Sequence, residues 1–93
     1  MNMLVVDDEA DIANMLAEFF RMEGYEVSVA HDGPSALAAA SSGPTPDIML
    51  LDVNMPGMDG FEVCRRVRKH VSCPIIFLTA RVEDMDQLDG FAA

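Results

Sequence analysis

The run Pro46-Asp47-Ile48-Met49-Leu50-Leu51-Asp52-Val53-Asn54-Met55-Pro56-Gly57 limits what this chain can fold into more than any other. It opens at a proline, passes through four continuous apolar residues and breaks at a Pro-Gly turn. The apolar part is too short for a helix and does not alternate with polar residues, so it reads as a strand buried on both faces, as in a parallel sheet. Asp52 stands where that strand stops. Open α/β sheets hold their ligands at the carboxyl edge of the strands. Two further apolar runs end in the same way: Met3-Leu4-Val5-Val6 in Asp7-Asp8, and Pro74-Ile75-Ile76-Phe77-Leu78 in Thr79. Three strand ends thus direct three carboxylates and a hydroxyl toward one rim.

Helical patterns fill the gaps between these runs. Glu9 to Glu23 carries Ile12, Met15, Leu16, Phe19 and Phe20 at the three-and-four spacing of one helix face, and Gly24 supplies a left-handed cap. Tyr25 to Ala30 alternates, with Tyr25, Val27 and Val29 against Glu26 and Ser28, as a strand at the border of a sheet does. Asp32-Gly33-Pro34 is a turn into a short alanine-rich helix over Ser35 to Ala40, which the loop from Ser41 to Pro46 ends. Asp59-Gly60-Phe61-Glu62 has the form of a capping box, with Met58 and Val63 spaced for a hydrophobic staple. The helix it opens runs to about His70 on an inner stripe of Phe61, Cys64 and Val67. Arg65, Arg66, Arg68 and Lys69 gather at its end, where a solvated positive face suits the helix dipole. Val82, Met85, Leu88, Phe91 and Ala92 predict a last helix beginning near Asp84. Strands alternating with helices give an α/β domain, a parallel sheet with helices on both faces.

Ninety-three residues allow one small domain over 1–93. Sixteen acidic against six basic residues give a net charge of −10, which would repel nucleic acid, so this segment is not expected to bind DNA itself. No apolar run is long enough to span a membrane and no leader pattern opens the chain, so a cytoplasmic protein is expected. Cys64 and Cys73 have neither zinc nor Cys-x-x-Cys spacing and read as buried free thiols. His31 reads as part of an exposed turn and the methionines as core filler, with Met55 and Met58 placed for partner contact beside the rim.

Asp7, Asp8 and Asp52 at neighbouring strand ends would raise one another's pKa unless a counter-charge is present. A hard divalent cation resolves the conflict. Mg²⁺ takes one or two carboxylates, a carbonyl and several waters, and commonly pairs with a phosphoryl oxygen. Asp7-Asp8-Glu9 would also suit a helix N-terminus and Thr79 could cap a turn, but capping alone does not call for acid at two adjacent strand ends.

In these residues, and in the spacing of Asp7-Asp8, Asp52, the Asn54-Met55-Pro56-Gly57-Met58-Asp59-Gly60 loop and Thr79-Ala80, the chain resembles the receiver domain of two-component response regulators. The resemblance covers the whole chain. It implies a flavodoxin-like, doubly wound sheet of order 2-1-3-4, the family's fifth strand and fifth helix being absent from this sequence. It implies a signalling switch and not a classical enzyme, with Asp52 as phosphoacceptor for a sensor histidine kinase. It makes Asp8, Asp52 and the Asn54 backbone carbonyl ligands of Mg²⁺, with Asp7 holding the ion through water. Thr79 would be the switch hydroxyl, and Asn54 would tune dephosphorylation. The helix from Phe61 to Arg68 and the stretch from Pro74 to Arg81 resemble receivers joined to winged-helix DNA-binding output domains.

The family's fifth strand carries a lysine that pairs with the phosphoryl group. Lys69, the one lysine here, lies on a different element, so the sequence is expected to be an incomplete receiver. With its fourth strand lacking a neighbour, such a chain is expected to be unstable or held in a homodimer or swapped assembly. A haloacid dehalogenase-type phosphatase would need an acid two residues after Asp52, where Asn54 stands. A flavodoxin-like nucleotide binder would need a glycine- and hydroxyl-rich loop after the first strand, where Asp7-Asp8-Glu9-Ala10-Asp11 stands. A degenerate receiver used only for protein contacts would not need the acidic pair and acceptor.

Overall fold

The run expected to be doubly buried is the strand β3 (Ile48–Leu51), and Met49, Leu50 and Leu51 are each at most 5% exposed. The computed structural model describes residues 1–78. Its other elements are β1 (Asn2–Val6), α1 (Ala10–Met22), β2 (Glu26–Ala30), α2 (Gly33–Ser42), α3 (Gly60–Val67) and β4 (Ile75–Phe77). Thr79, Ala80 and the expected last helix lie outside the described residues. The four strands are all parallel in the order β2-β1-β3-β4, the 2-1-3-4 sheet the resemblance implied. β2 is the border strand, and its outward Glu26 and Ser28 are exposed as its alternation required.

Strand side chains alternate between faces, and this divides the core in two. Leu4, Val6, Met49 and Leu51 pack against Ala36 and Ala40 of α2 and Val63, Cys64 and Val67 of α3. Met3, Val5 and Leu50 pack against Ala13 of α1, with Leu16 and Phe20 alongside. Val5, Val6, Met49 and Leu51 are wholly buried, each contributing about 1.5–3 kcal/mol relative to exposure.

Each of the three helices differs in detail from the sequence expectations. Only part of the expected stripe of α1 faces inward: Leu16 and Phe20 pack on the core, but Ile12, Met15 and Phe19 are exposed, at 37%, 61% and 54%, and the fully buried positions are Ala13 and Ala17. A helix pressed close to a sheet needs small residues at the line of closest approach, and hydrophobic periodicity weights the large ones. α2 begins at Gly33, two residues early, and continues through Ser41 and Ser42. Those serine hydroxyls donate to the Leu37 and Ala38 carbonyls, four residues back, and so stay within the helix they were expected to end. α3 stops at Val67, although Lys69 and His70 N–H groups still donate to carbonyls three residues back, a tightened last turn. Its cap is half of the expected box. Asp59 accepts from the Glu62 N–H at 2.9 Å, while Glu62 turns both carboxylate oxygens to Arg65 and Arg66 at 2.6 and 2.8 Å. Those two arginines hold the Glu62 carboxyl down at about 2.

Cys64 and Cys73 are free, and burial pushes both thiols up, which leaves them protonated and unreactive. Among the described residues no helix is long and apolar enough to cross a membrane. β4 has one strand neighbour among them, β3, and Ile76 is 49% exposed.

Candidate metal and phosphoacceptor site

The ladder itself assembles the acidic rim. Val6 of β1 is in register with Leu51 of β3, so the next residues, Asp7 and Asp52, leave adjacent strands at the same height. Backbone bonds fix both: the Asp52 N–H donates to the Val6 carbonyl at 2.9 Å, and the Asp7 N–H to the Ala30 carbonyl at 3.1 Å. Asp7, Asp8 and Asp52 each offer a carboxylate oxygen, and these atoms all lie within 4.8 Å of one another. Asp7 and Asp52 are buried and Asp8 is exposed, so the cluster is anchored below and open above.

Local bonds orient the acids. Asp7 Oδ1 accepts the Glu9 N–H at 2.9 Å, tying the carboxylate to the start of α1. Asp52 Oδ1 accepts the Asn54 N–H at 3.3 Å. Burial, with the Asp7 charge next and Asp8 adding to it, raises the Asp52 carboxyl from 3.8 to about 6 against the opposing Asn54 N–H. A cavity of about 330 Å³ opens here, with Asp7, Asp52 and Asn54 as its polar floor and Ile12, Leu16 and Leu78 as an apolar wall. Leu78 arrives because its N–H donates to the Leu51 carbonyl at 2.9 Å.

The loop after Asp52 closes on itself. Gly57 has φ +78°, and the Gly60 N–H returns to the Val53 carbonyl at 2.9 Å. A Cβ on Gly60 would lie 2.2 Å from the Asp52 carbonyl oxygen, so the first turn of α3 is set directly on the backbone of Asp52. This folding back corrects the expectation for Met55, which is buried in the core and not available to a partner; Met58 is half-buried over Gly33.

Of the residues singled out in the sequence, Asp7, Asp8, Asp52 and Asn54 meet at this rim, and Thr79 lies outside the described residues. Two contributors had escaped notice. Gly60 was read only as part of a cap, although a glycine in the first turn of a helix is itself a sign of close approach. His31, read as an exposed turn, donates its Nδ1–H to the Asp7 carbonyl at 3.1 Å, and no periodicity could have signalled that.

The donor set is all carboxylate oxygen, which suits a hard divalent ion and not a thiol- or imidazole-seeking metal. Sheet and site together define an α/β protein of the flavodoxin-like class with an acidic site at the carboxyl edge of its strands. The family model for the response regulator receiver domain matches residues 3–93, and the chain belongs to that family. The sensory transduction protein RegX3 of Mycolicibacterium smegmatis is 44% identical over 89 residues, 96% of this chain and 39% of RegX3. The chain therefore spans about two fifths of that relative's length. Among solved structures, chemotaxis protein CheY4 of Vibrio cholerae is 37% identical with a TM-score of 0.86, over 98% of this chain and 78% of that one. Response regulator TrrA of Thermotoga maritima, solved in complex with Mg²⁺-BeF, is 39% identical with a TM-score of 0.84, over 99% and 80% of the two chains.

Proposed function

We propose that this receiver domain is a phosphorylation switch in which Asp52 accepts a phosphoryl group from a sensor histidine kinase with Mg²⁺ held beside it. The observation that carries the reading is the cluster of Asp7, Asp8 and Asp52 oxygens within 4.8 Å at the carboxyl edge of the sheet. An Asp52 carboxylate oxygen attacks the phosphorus of a phosphohistidine; the P–O bond of an acyl phosphate forms, the P–N bond breaks, and the imidazole leaves. Asp8, Asp52 and the Asn54 carbonyl would hold the ion directly, with Asp7 behind them through water. Mg²⁺, where bound, offsets the negative charge of the cluster and of the incoming phosphoryl oxygens. The Asn54 side chain, exposed beside the acceptor, stands where attacking water would pass and so tunes the phosphoryl lifetime. Thr79, one residue past Leu78, is the switch hydroxyl that reads the phosphoryl group.

The output is a separate, DNA-binding segment of the longer protein. RegX3, called a sensory transduction protein, is well over twice as long as the part matched here, which supports an output beyond the receiver. Acetyl phosphate or beryllium fluoride with Mg²⁺, read by mass spectrometry and amide chemical shifts, tests the acceptor. Wild type is expected to be modified at Asp52 and Asp52→Asn not at all. Modification that persists in Asp52→Asn would sink the assignment.

A further inference from the structure

β1 and β2 stop pairing at Val6 and Ala30, just where the acidic pair begins. The Asp7 N–H still reaches the Ala30 carbonyl, so in a continued parallel ladder the Asp7 carbonyl would next accept from the Asp32 N–H. The chain instead turns into α2: Asp32 is its N-cap, and its carboxylate accepts the Ser35 N–H at 2.7 Å. The place left open at the Asp7 carbonyl is filled by a side chain, His31 Nδ1, at 3.1 Å. A carbonyl only accepts, so Nδ1 carries the proton and donates it. Asp7 is thereby held on both sides, by Ala30 through its N–H and by His31 through its carbonyl, and that carbonyl belongs to the Asp7–Asp8 peptide. That peptide is the one covalent link between the buried Asp7 and the exposed Asp8.

Resting on the metal site of the proposed function, we propose that His31 is a positioning residue of that site: its bond to the Asp7 carbonyl fixes the Asp7–Asp8 peptide so that the Asp8 carboxylate faces the ion. His31 touches neither the cavity nor the cluster oxygens. It acts as the groups behind metal ligands do, by restricting the orientations the ligand can adopt before the ion arrives. Its side chain is exposed, so removing it leaves no cavity in the core and the fold should survive.

Mg²⁺ titration of the whole chain, followed by amide chemical shifts of Asp7, Asp8 and Asn54, is run on wild type, His31→Ala and His31→Asn, with thermal melts of each without metal. An asparagine places Nδ2–H close to where histidine places Nδ1–H, so it restores the donor without the ring. His31→Ala is expected to bind Mg²⁺ about tenfold more weakly, and His31→Asn to return to within about twofold of wild type, with near-equal metal-free melting temperatures. His31→Ala binding as wild type does, His31→Asn as weak as His31→Ala, or affinity falling only in step with melting temperature would each overturn the positioning role while leaving the site standing. Wild type that fails to bind Mg²⁺ would overturn the site itself, and the role of His31 with it.

Discussion

Asp52 is the residue at which stability and the proposed function oppose one another. Its carboxyl holds a proton up to about 6 in the folded protein against 3.8 for an unperturbed one, chiefly through burial and then the Asp7 charge. The folded state therefore binds protons more readily between those values. This contribution is fully present below about pH 4 and is lost as pH rises through about 6. At neutral pH and without metal, the ionised Asp52 costs on the order of 2 kcal/mol, allowing for water at the open side of the cluster. Asp52→Asn keeps the shape and drops the charge. In a chelating buffer near pH 7 it is expected to melt above wild type, and its melting temperature should stay nearly flat between about pH 4 and 7, where that of wild type falls. A variant that melts no higher than wild type there would show that the cluster is not electrostatically frustrated. Asp52 and Asp7 were legible in the sequence because each follows directly on an apolar run, with Asp8 next in line, and a residue that ends a buried strand has one place to go. His31 was not legible, because its role depends on two strands parting at the same height, a fact of register that no single segment carries.

Among the elements, α3 is the one coupled most directly to the site. A Cβ at Gly60 would sit 2.2 Å from the Asp52 carbonyl oxygen and 2.8 Å from Val53 Cα, both backbone atoms that cannot swing aside as a side-chain tip can. Gly60→Ala is expected to destabilise by about 1–3 kcal/mol, as overpacking does, despite alanine's better helix propensity. It should also move the Asp52 and Asn54 amide resonances and lower phosphoryl acceptance. A Gly60→Ala chain with wild-type stability and an unmoved Asp52 amide would mean that α3 does not rest on the acceptor strand as described. Asp59→Ala tests the other end of the same turn. Losing the 2.9 Å bond to the Glu62 N–H is expected to cost about 0.5–2 kcal/mol in chemical denaturation, with the acceptor chemistry intact. The order, type and faces of β3 and α3 were legible because strand runs between proline and glycine and a capping pattern are local signals. The face of α1 was only partly legible: Leu16 and Phe20 do pack inward, but Ala13 and Ala17 carry little hydrophobic weight, although Ala13 is what lets the helix approach Met3, Val5 and Leu50.

At the scale of the whole molecule, a net charge of −10 means that any salt should stabilise the fold by screening self-repulsion. A specific metal effect must be separated from that background. The acids are not spread evenly, since two of them, Asp7 and Asp52, are buried together with Asp8 above them. Screening by mobile ions is weakest at this cluster, because buried charges are reached poorly by salt. A divalent ion seated among the three carboxylates relieves what sodium cannot. Binding only to the folded state stabilises by about 2.7 kcal/mol at a hundredfold excess over Kd, which for a chain near this size is a rise in melting temperature on the order of 10 °C. Sodium chloride at matched ionic strength is expected to give a smaller rise, the same in wild type and in Asp8→Asn. The magnesium rise should exceed it in wild type and shrink to the sodium value in Asp8→Asn, which keeps the buried pair but removes the proposed exposed ligand. Differential scanning calorimetry of both chains in the two salts reads the difference directly. Equal rises in the two salts for wild type, or a full magnesium rise in Asp8→Asn, would place the ion's effect in the general field of the protein and not in this site.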